Sequence, residues 1–119
     1  MTDNDTNSKA PGTLPPSHAT SLTGAVEVAP GAIVSRTLAR SAGGNVTVFA
    51  FDAGQELAEH SAPFDAMVQL LDGRLVVVIG GTDHDLDPGE VIIMPADVPH
   101  AVRAPEQAKW MLVMLKGEA

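Results

Sequence analysis

Short apolar segments separated by turn residues restrict the folds open to this chain more than any other feature of its sequence. The segments are residues 24–28, 32–38, 46–51, 66–71, 74–79, 90–94, 100–104 and 109–116. Only Asp72 and Gly73 separate the segments 66–71 and 74–79. Two residues of this type between apolar runs are a strong hairpin signal. Short strands that follow one another every 8–12 residues or so are typical of a β-sandwich or barrel. The sequence therefore predicts an all-β fold.

The chain has 119 residues, which is enough for one domain with its own core. Residues 1–21 are rich in Asp, Asn, Thr, Ser and Pro and carry almost no large apolar side chains. Such a segment buries too little apolar surface to offset the entropy lost on ordering. We predict a flexible tail over residues 1–21 and a single barrel domain over residues 22–119.

Composition and charge exclude several functional classes. The net charge is −8, and an acidic surface repels phosphate backbones, so we expect no nucleic-acid partner. The chain has no Cys, which excludes disulfides and thiolate metal sites. The N-terminal residues do not resemble a secretory signal, and no apolar run is long enough to span a membrane. We therefore expect a cytoplasmic protein without a membrane partner.

His60 and His100 are the candidate site residues. Each lies among prolines and glycines that restrict the chain, at the start or the end of a predicted strand. Imidazole is the commonest neutral metal ligand and binds Zn, Fe, Cu and Ni. A catalytic metal usually has at least three protein ligands, so two histidines alone also fit a structural, hydrogen-bonded role.

The segment from Gly54 to Gly73 resembles the first motif of the cupin family. That motif consists of a glycine, five residues, His-x-His, three or four residues, Glu, six residues and a second glycine. Gly54 and His60 match the first glycine and the first histidine, and Gly73 ends the motif. The resemblance implies a double-stranded β-helix, or jelly-roll, barrel in which His60 is a metal ligand.

A second segment resembles the second cupin motif, in which a glycine and five residues precede Pro-x-Gly, two residues, His, three residues and Asn. Gly89, Pro95 and His100 match this pattern, whereas Asp97 and Ala104 replace the usual Gly and Asn. The resemblance implies that His100 is a metal ligand beside His60. Together the two motifs cover most of residues 45–116.

The other two ligand positions of the family carry no donor atom. Ala62 stands at the second histidine position and Ala66 at the glutamate position. Strand alternation directs Gln69 away from the pocket if Ala66 faces inward, whereas Asp65 precedes the strand and has no fixed direction. Glu56 lies four residues before His60, so in an extended strand its side chain can share the face of that histidine. Glu59 directly precedes His60.

The run Ala62-Pro63-Phe64-Asp65-Ala66 is similar to that of a subgroup of small single-domain bacterial cupins. Members of that subgroup carry Ser-Ala-Pro next to the first motif histidine. The resemblance implies that the two alanines are a feature of the lineage.

Two functions follow as hypotheses. In the first, His60 and His100 hold a divalent metal (Fe, Mn, Ni or Zn) weakly or with a reduced ligand set, and the family's oxygenase or isomerase chemistry acts on a small molecule. In the second, the barrel is a metal-free binding module for a small, largely apolar ligand, because Ala62 and Ala66 widen the pocket and remove charge. A regulatory sensor role ranks last, since the chain has no helix-turn-helix pattern and no basic face.

The apolar residues 33–38 and 110–115 are predicted to lie at sheet edges. An exposed edge strand invites pairing with another chain. We therefore expect a homodimer, in which Trp110 packs the barrel or contacts the second copy.

Overall fold

The computed structural model describes residues 12–117, and these residues form nine strands in two antiparallel sheets. The strands are β1 (Ile33–Ser41), β2 (Gly44–Phe51), β3 (Glu56–His60), β4 (Asp65–Gly73), β5 (Leu75–Ile79), β6 (Thr82–Leu86), β7 (Val91–Met94), β8 (His100–Arg103) and β9 (Ala108–Leu115). One sheet has the order β1-β2-β9-β4-β7 and the other β3-β8-β5-β6. The predicted all-β jelly roll is confirmed. Within the described range no helix is long and apolar enough to cross a membrane.

The hairpin predicted at Asp72 and Gly73 is wrong. Strand β4 pairs with β7 and β9, whereas β5 pairs with β6 and β8, so the chain passes here from one sheet to the other. Gly73 has φ +88°, and a Cβ atom at this position would lie 1.9 Å from the carbonyl oxygen of Gln107. The glycine therefore serves a sharp bend and a close approach to the start of β9. A two-residue hairpin does form at Gly80 and Gly81, between β5 and β6.

Residues 24–28 do not form the predicted strand. Val26 is nevertheless buried, and it packs with Leu38, Val48 and Ala50 on the outer face of the five-stranded sheet. The segment before β1 therefore covers this face as irregular chain. Burial of its apolar side chains does not require a ladder of backbone hydrogen bonds, so no strand forms here.

The tail predicted over residues 1–21 lies partly outside the described residues. In its described part, the Leu14 amide donates a hydrogen bond of 2.7 Å to the Leu38 carbonyl. Arg36 Nε also donates to the carbonyl of Gly12, at 3.0 Å. These contacts attach residues 12–14 to β1, and the boundary at residue 21 stays a prediction.

An aromatic cluster fills the core between the two sheets. Trp110 on β9 is fully buried and stacks on Phe49, with ring centroids 4.5 Å apart, and meets Phe51 edge to face at 5.4 Å. Such pairs stabilise a core by roughly 0.5–1.5 kcal/mol beyond their buried area. Strand β9 pairs with both β2 and β4, so the predicted edge position of residues 110–115 is wrong, whereas residues 33–38 do lie in the edge strand β1.

Two of the glycines with positive φ, Gly73 and Gly81, allow a matched test of the sheet-to-sheet bend. Gly81 has φ +84°, close to that of Gly73, but a Cβ atom there would meet nothing within 4 Å. We expect Gly81→Ala to lower the free energy of unfolding by about 1–2 kcal/mol through backbone strain alone. Gly73→Ala adds a backbone clash, and we expect a loss above roughly 3 kcal/mol. Urea unfolding followed by the fluorescence of the single Trp, Trp110, measures both, and equal losses would contradict the close approach at Gly73.

Candidate functional site, a pocket with two histidines

A cavity of about 280 Å³ opens between the two sheets beside the aromatic cluster. Apart from two histidines and the indole N–H of Trp110, the side chains of its wall are apolar. The wall consists of Phe49, Leu57, His60, Ala62, Phe64, Ala66, Met94, His100, Val102, Trp110, Leu112 and Met114. We call this cavity the histidine pocket.

Strand alternation explains most of the wall. On β9 the inward positions are Trp110, Leu112 and Met114, and all three line the pocket. On β4, Ala66 faces inward and stands opposite Met94 of β7 and Met114 of β9. Two flexible methionines thus flank the small alanine side chain, so this part of the wall can adjust its shape to a ligand.

The pairing of β3 with β8 brings the two histidines together. His60 and His100 are register partners, although 39 residues lie between them in the sequence. Their Nε2 atoms are 3.3 Å apart, and the ring planes cross at 76° with centroids 4.5 Å apart. The sequence predicted that both histidines lie in one pocket, and the structure brings both into this wall.

Hydrogen bonding assigns the tautomers of the pair. His60 Nδ1 lies 3.0 Å from the Ala58 carbonyl oxygen, which can only accept, so Nδ1 carries a proton and donates it. In neutral His60 the Nε2 atom therefore holds a lone pair, and His100 Nε2 donates to it. The Nδ1 atom of His100 is then an acceptor, and it has no hydrogen-bond partner among the described residues.

Burial sets the charge of His100, whose side chain is only 4 % exposed. This burial lowers the pKa of His100 below its ordinary value, and the charge of His60 lowers it further. The backbone of Val98 opposes these two effects. His100 is therefore a neutral imidazole at neutral pH, able to donate or accept a hydrogen bond.

The side chains considered as replacements for the missing ligands do not enter the pocket wall. Asp65 is exposed, and its Oδ1 atom accepts a hydrogen bond of 2.9 Å from the amide of Ala96. Glu56 and Glu59 are exposed, and Gln69 is half-buried outside the wall. Among residues 12–117, no three His, Cys, Asp or Glu side chains are arranged to hold a metal ion.

The two imidazoles can supply two nitrogen ligands to one divalent metal ion. Nitrogen atoms 3.3 Å apart would both lie ~2.1 Å from one ion if they subtended about 104° at it, which is close to a tetrahedral angle. Ala62 and Ala66 occupy the remaining ligand positions and supply no donor atom. The chain therefore provides two of the three or four ligands that a catalytic site normally requires.

Phe64 and Phe49 are pocket residues that the sequence did not assign, whereas Trp110, which was predicted to pack the barrel or contact a second copy, packs in the barrel and also lines the pocket. They come from β2, from β9 and from the loop after β3, and only the packing of the two sheets brings them to one cavity. Phe64 also lies under Lys116, whose Nζ atom is 5.5 Å from the ring centroid. Such a contact is a cation–π interaction at the pocket's outer side.

The lowered pKa of His100 predicts how stability depends on pH. The unfolded chain takes up a proton near pH 6.5, whereas the folded chain resists it until lower pH, so folding stability is complete above about pH 6.5 and falls as the pH decreases below it. We expect the fall between pH 7.5 and 5.0 to be clearly smaller in His100→Gln. Urea unfolding at a series of pH values measures both chains, and parallel curves would show that His100 is not the group responsible.

Comparison with known proteins agrees with this architecture. Residues 47–115, more than half of the chain, match the Cupin domain family. A conserved protein of unknown function from Streptococcus pyogenes is 36% identical, with a TM-score of 0.84, and the match covers 91% of this chain and 95% of that one. A search of curated proteins gave no significant match.

Two further solved structures share the fold. A cupin superfamily protein from Desulfitobacterium hafniense is 25% identical over 88% of this chain and 96% of that chain, with a TM-score of 0.82. KdgF from a Halomonas species is 22% identical over 77% and 87%, with a TM-score of 0.65, and this likeness concerns the fold alone. The family match and the two-sheet barrel lead to one conclusion: the chain belongs to the cupin family.

Proposed function

We propose that the histidine pocket binds an uncharged, largely apolar small molecule and that the two imidazoles hold one polar group of it. The observation that carries this proposal is the composition of the wall, in which His60, His100 and the unpartnered indole N–H of Trp110 are the only polar groups of the side chains. Apolar cavities with a few convergent polar groups are the usual form of small-molecule sites. A charged ligand would lose its water here without meeting an opposite charge, which costs several kcal/mol or more.

The cavity volume indicates the size of the ligand. A dry apolar cavity of ~150 Å³ holds one benzene ring, so about 280 Å³ accommodates two fused rings or an aliphatic molecule of similar bulk. Trp110, Phe49 and Phe64 offer ring faces and edges to such a ligand.

The tautomers of the histidine pair indicate the polar group. His60 Nε2 can accept a hydrogen bond, and His100 Nε2 can donate one. A hydroxyl group both donates and accepts, so by moving the rings apart from their 3.3 Å contact it can replace that contact with two hydrogen bonds. The ligand class that we propose is therefore a neutral alcohol or phenol.

Binding of 1-naphthol to metal-depleted protein tests this proposal, with Trp110 fluorescence as the readout. We expect 1-naphthol to bind at least about tenfold more tightly than naphthalene, which is ~1.4 kcal/mol and the usual contribution of one or two hydrogen bonds. We expect 1-naphthoate to bind at least about tenfold more weakly than 1-naphthol, because its charge has no partner.

Two alanine variants provide the matched control. Ala62→Leu places three more carbon atoms in the histidine pocket and should abolish binding, whereas Ala39→Leu changes an exposed position outside this wall and should leave it unchanged. Absence of binding by both 1-naphthol and naphthalene would refute the apolar pocket as the ligand site. Equal affinities for the two would leave the pocket in place and refute the role of the imidazoles.

A divalent metal at the two imidazoles is the second candidate function. The Nε2–Nε2 distance of 3.3 Å supports it, as does the match of both histidines to the cupin motifs. Bound Fe, Mn, Ni or Zn would supply a Lewis acid with open positions for a small substrate, as oxygenase or isomerase chemistry requires. His60 and His100 would hold the ion, and the apolar wall would exclude water around the substrate.

Calorimetric titration of EDTA-treated protein with Zn²⁺ and Mn²⁺ tests the metal. Two protein ligands should give an affinity orders of magnitude below that of a complete site, and His60→Gln together with His100→Gln should abolish it. A stoichiometric ion retained through purification and EDTA treatment would show that other donors complete the shell and would favour this second function over the first.

We also propose that the chain belongs to the cupin subgroup with Ser61-Ala62-Pro63 and acts in the cytoplasm. Ala62 and Ala66 at the two ligand positions support the subgroup, and the lack of Cys in the sequence supports the reducing compartment. If the alanines belong to the lineage, the apolar pocket is a retained property of the subgroup.

A further inference from the structure

Three buried side-chain atoms among residues 12–117 have no hydrogen-bond partner in the chain, namely Asn45 Oδ1, His100 Nδ1 and Trp110 Nε1. Two of these three residues line the histidine pocket. Trp110 Nε1 differs from the other two atoms because it can only donate, and its side chain is fully buried. Buried polar groups of native proteins nearly always have a partner, so an acceptor is expected beside this indole N–H.

The neighbours of Trp110 in the barrel do not supply that acceptor. Phe49 stacks on a face of the indole with an interplanar angle of 13°, whereas the N–H bond lies in the plane of the ring and does not point at Phe49. Leu70, the register partner of Trp110 on β4, is apolar, and Phe51 offers only the weak acceptor of an aromatic ring. Because Trp110 is fully buried, an acceptor reaches it from inside the barrel, and the histidine pocket is the cavity that it borders.

The composition of the pocket wall favours a ligand atom over a water molecule as the acceptor. A buried water usually makes about three hydrogen bonds. Apart from Trp110, only His60 and His100 bring polar side-chain atoms to this wall, and their Nε2 atoms already contact each other at 3.3 Å. A water beside the indole would therefore lack its usual number of partners, whereas a ligand oxygen is held in place by the rest of its molecule.

We propose that the ligand of the histidine pocket carries a carbonyl group that accepts a hydrogen bond from Trp110 Nε1, in addition to the hydroxyl group held by the imidazole pair. This inference rests on the proposed function and extends it. The imidazole pair and Trp110 border the same cavity of about 280 Å³, so a ligand that fills the cavity lies against both. The ligand class is thus a neutral hydroxy ketone of two fused rings, and Trp110 determines the specificity for its ketone.

The chemistry of the indole selects a carbonyl over other oxygen groups. An indole N–H donates and has no lone pair with which to accept, so the group opposite it should accept without donating. A second hydroxyl group would bring a donor for which Trp110 has no acceptor. A carboxylate also accepts, but its charge would be buried beside an apolar wall without an opposite charge. A ketone accepts, donates nothing and stays neutral.

Matched ligand pairs test the proposal on the unmodified, metal-depleted protein. Each pair consists of 5-, 6- or 7-hydroxy-1-tetralone and the tetrahydronaphthol that lacks only its ketone oxygen. We expect the tightest hydroxytetralone to bind at least about fivefold more tightly than its partner, which is ~1 kcal/mol. Trp110 is the only Trp, so ¹⁵N-labelled protein gives one indole N–H signal. We expect only the hydroxytetralone to move this proton signal downfield, because only its carbonyl accepts the hydrogen bond.

Two variants of the aromatic cluster provide the matched control, with affinities measured by calorimetry. Trp110→Phe removes the N–H but keeps an aromatic ring, and it should abolish the preference for the ketone. Phe51→Leu removes a ring that contacts Trp110 but lies outside the pocket wall, and it should retain the preference. If Trp110→Phe does not fold, as judged by circular dichroism, the indole signal of the unmodified protein decides.

The outcomes separate this inference from the proposed function. If the tetrahydronaphthols bind but the ketone adds no affinity and leaves the indole signal in place, the inference is wrong and the proposed function stands. An indole signal that moves in Phe51→Leu but not with any hydroxytetralone would identify the Phe51 ring as the acceptor and would overturn the inference as well. If none of these ligands binds, both proposals are wrong.

Discussion

Packing of the two sheets around Trp110 is the interaction on which the rest of the structure depends. Strand β9 lies in the middle of the five-stranded sheet, and its inward residues serve as both core and pocket wall. At one end the aromatic stack with Phe49 and Phe51 fills the space between the sheets. Toward the two histidines, the small side chains of Ala62 and Ala66 leave that space open, so one packing arrangement produces both the stable core and the cavity.

The sequence predicted the class of fold and the position of the two histidines, because both depend on short-range patterns. Glycine and proline spacing placed His60 and His100 at strand ends, and strand pairing then brought them into register. The turn at Asp72 and Gly73 shows the limit of this reasoning. A turn signal indicates that the chain bends, but the two strands that it connects pair with different neighbours.

Long-range pairing accounts for the other differences. Residues 110–115 are apolar enough to suit either a protected edge or a central strand, and only the pairings of β9 with β2 and β4 decide between them. Phe64 and Phe49 are apolar residues like many others in the sequence, and their role in the pocket follows from contacts across the barrel.

Ala62 and Ala66, at the motif positions of the second histidine and the glutamate, leave His60 and His100 without further donor side chains beside them in the pocket wall. In the function that we propose, the apolar wall buries the body of the ligand and the imidazole pair holds its hydroxyl group. The most direct test of this account is an NMR titration of metal-depleted, ¹⁵N-labelled protein with 1-naphthol. We predict shifts of the imidazole nitrogens of His60 and His100, together with NOEs from the ligand to the methyl groups of Met94 and Met114. Shifts that occur only after Zn²⁺ is added, or ligand NOEs confined to residues outside the pocket, would contradict it.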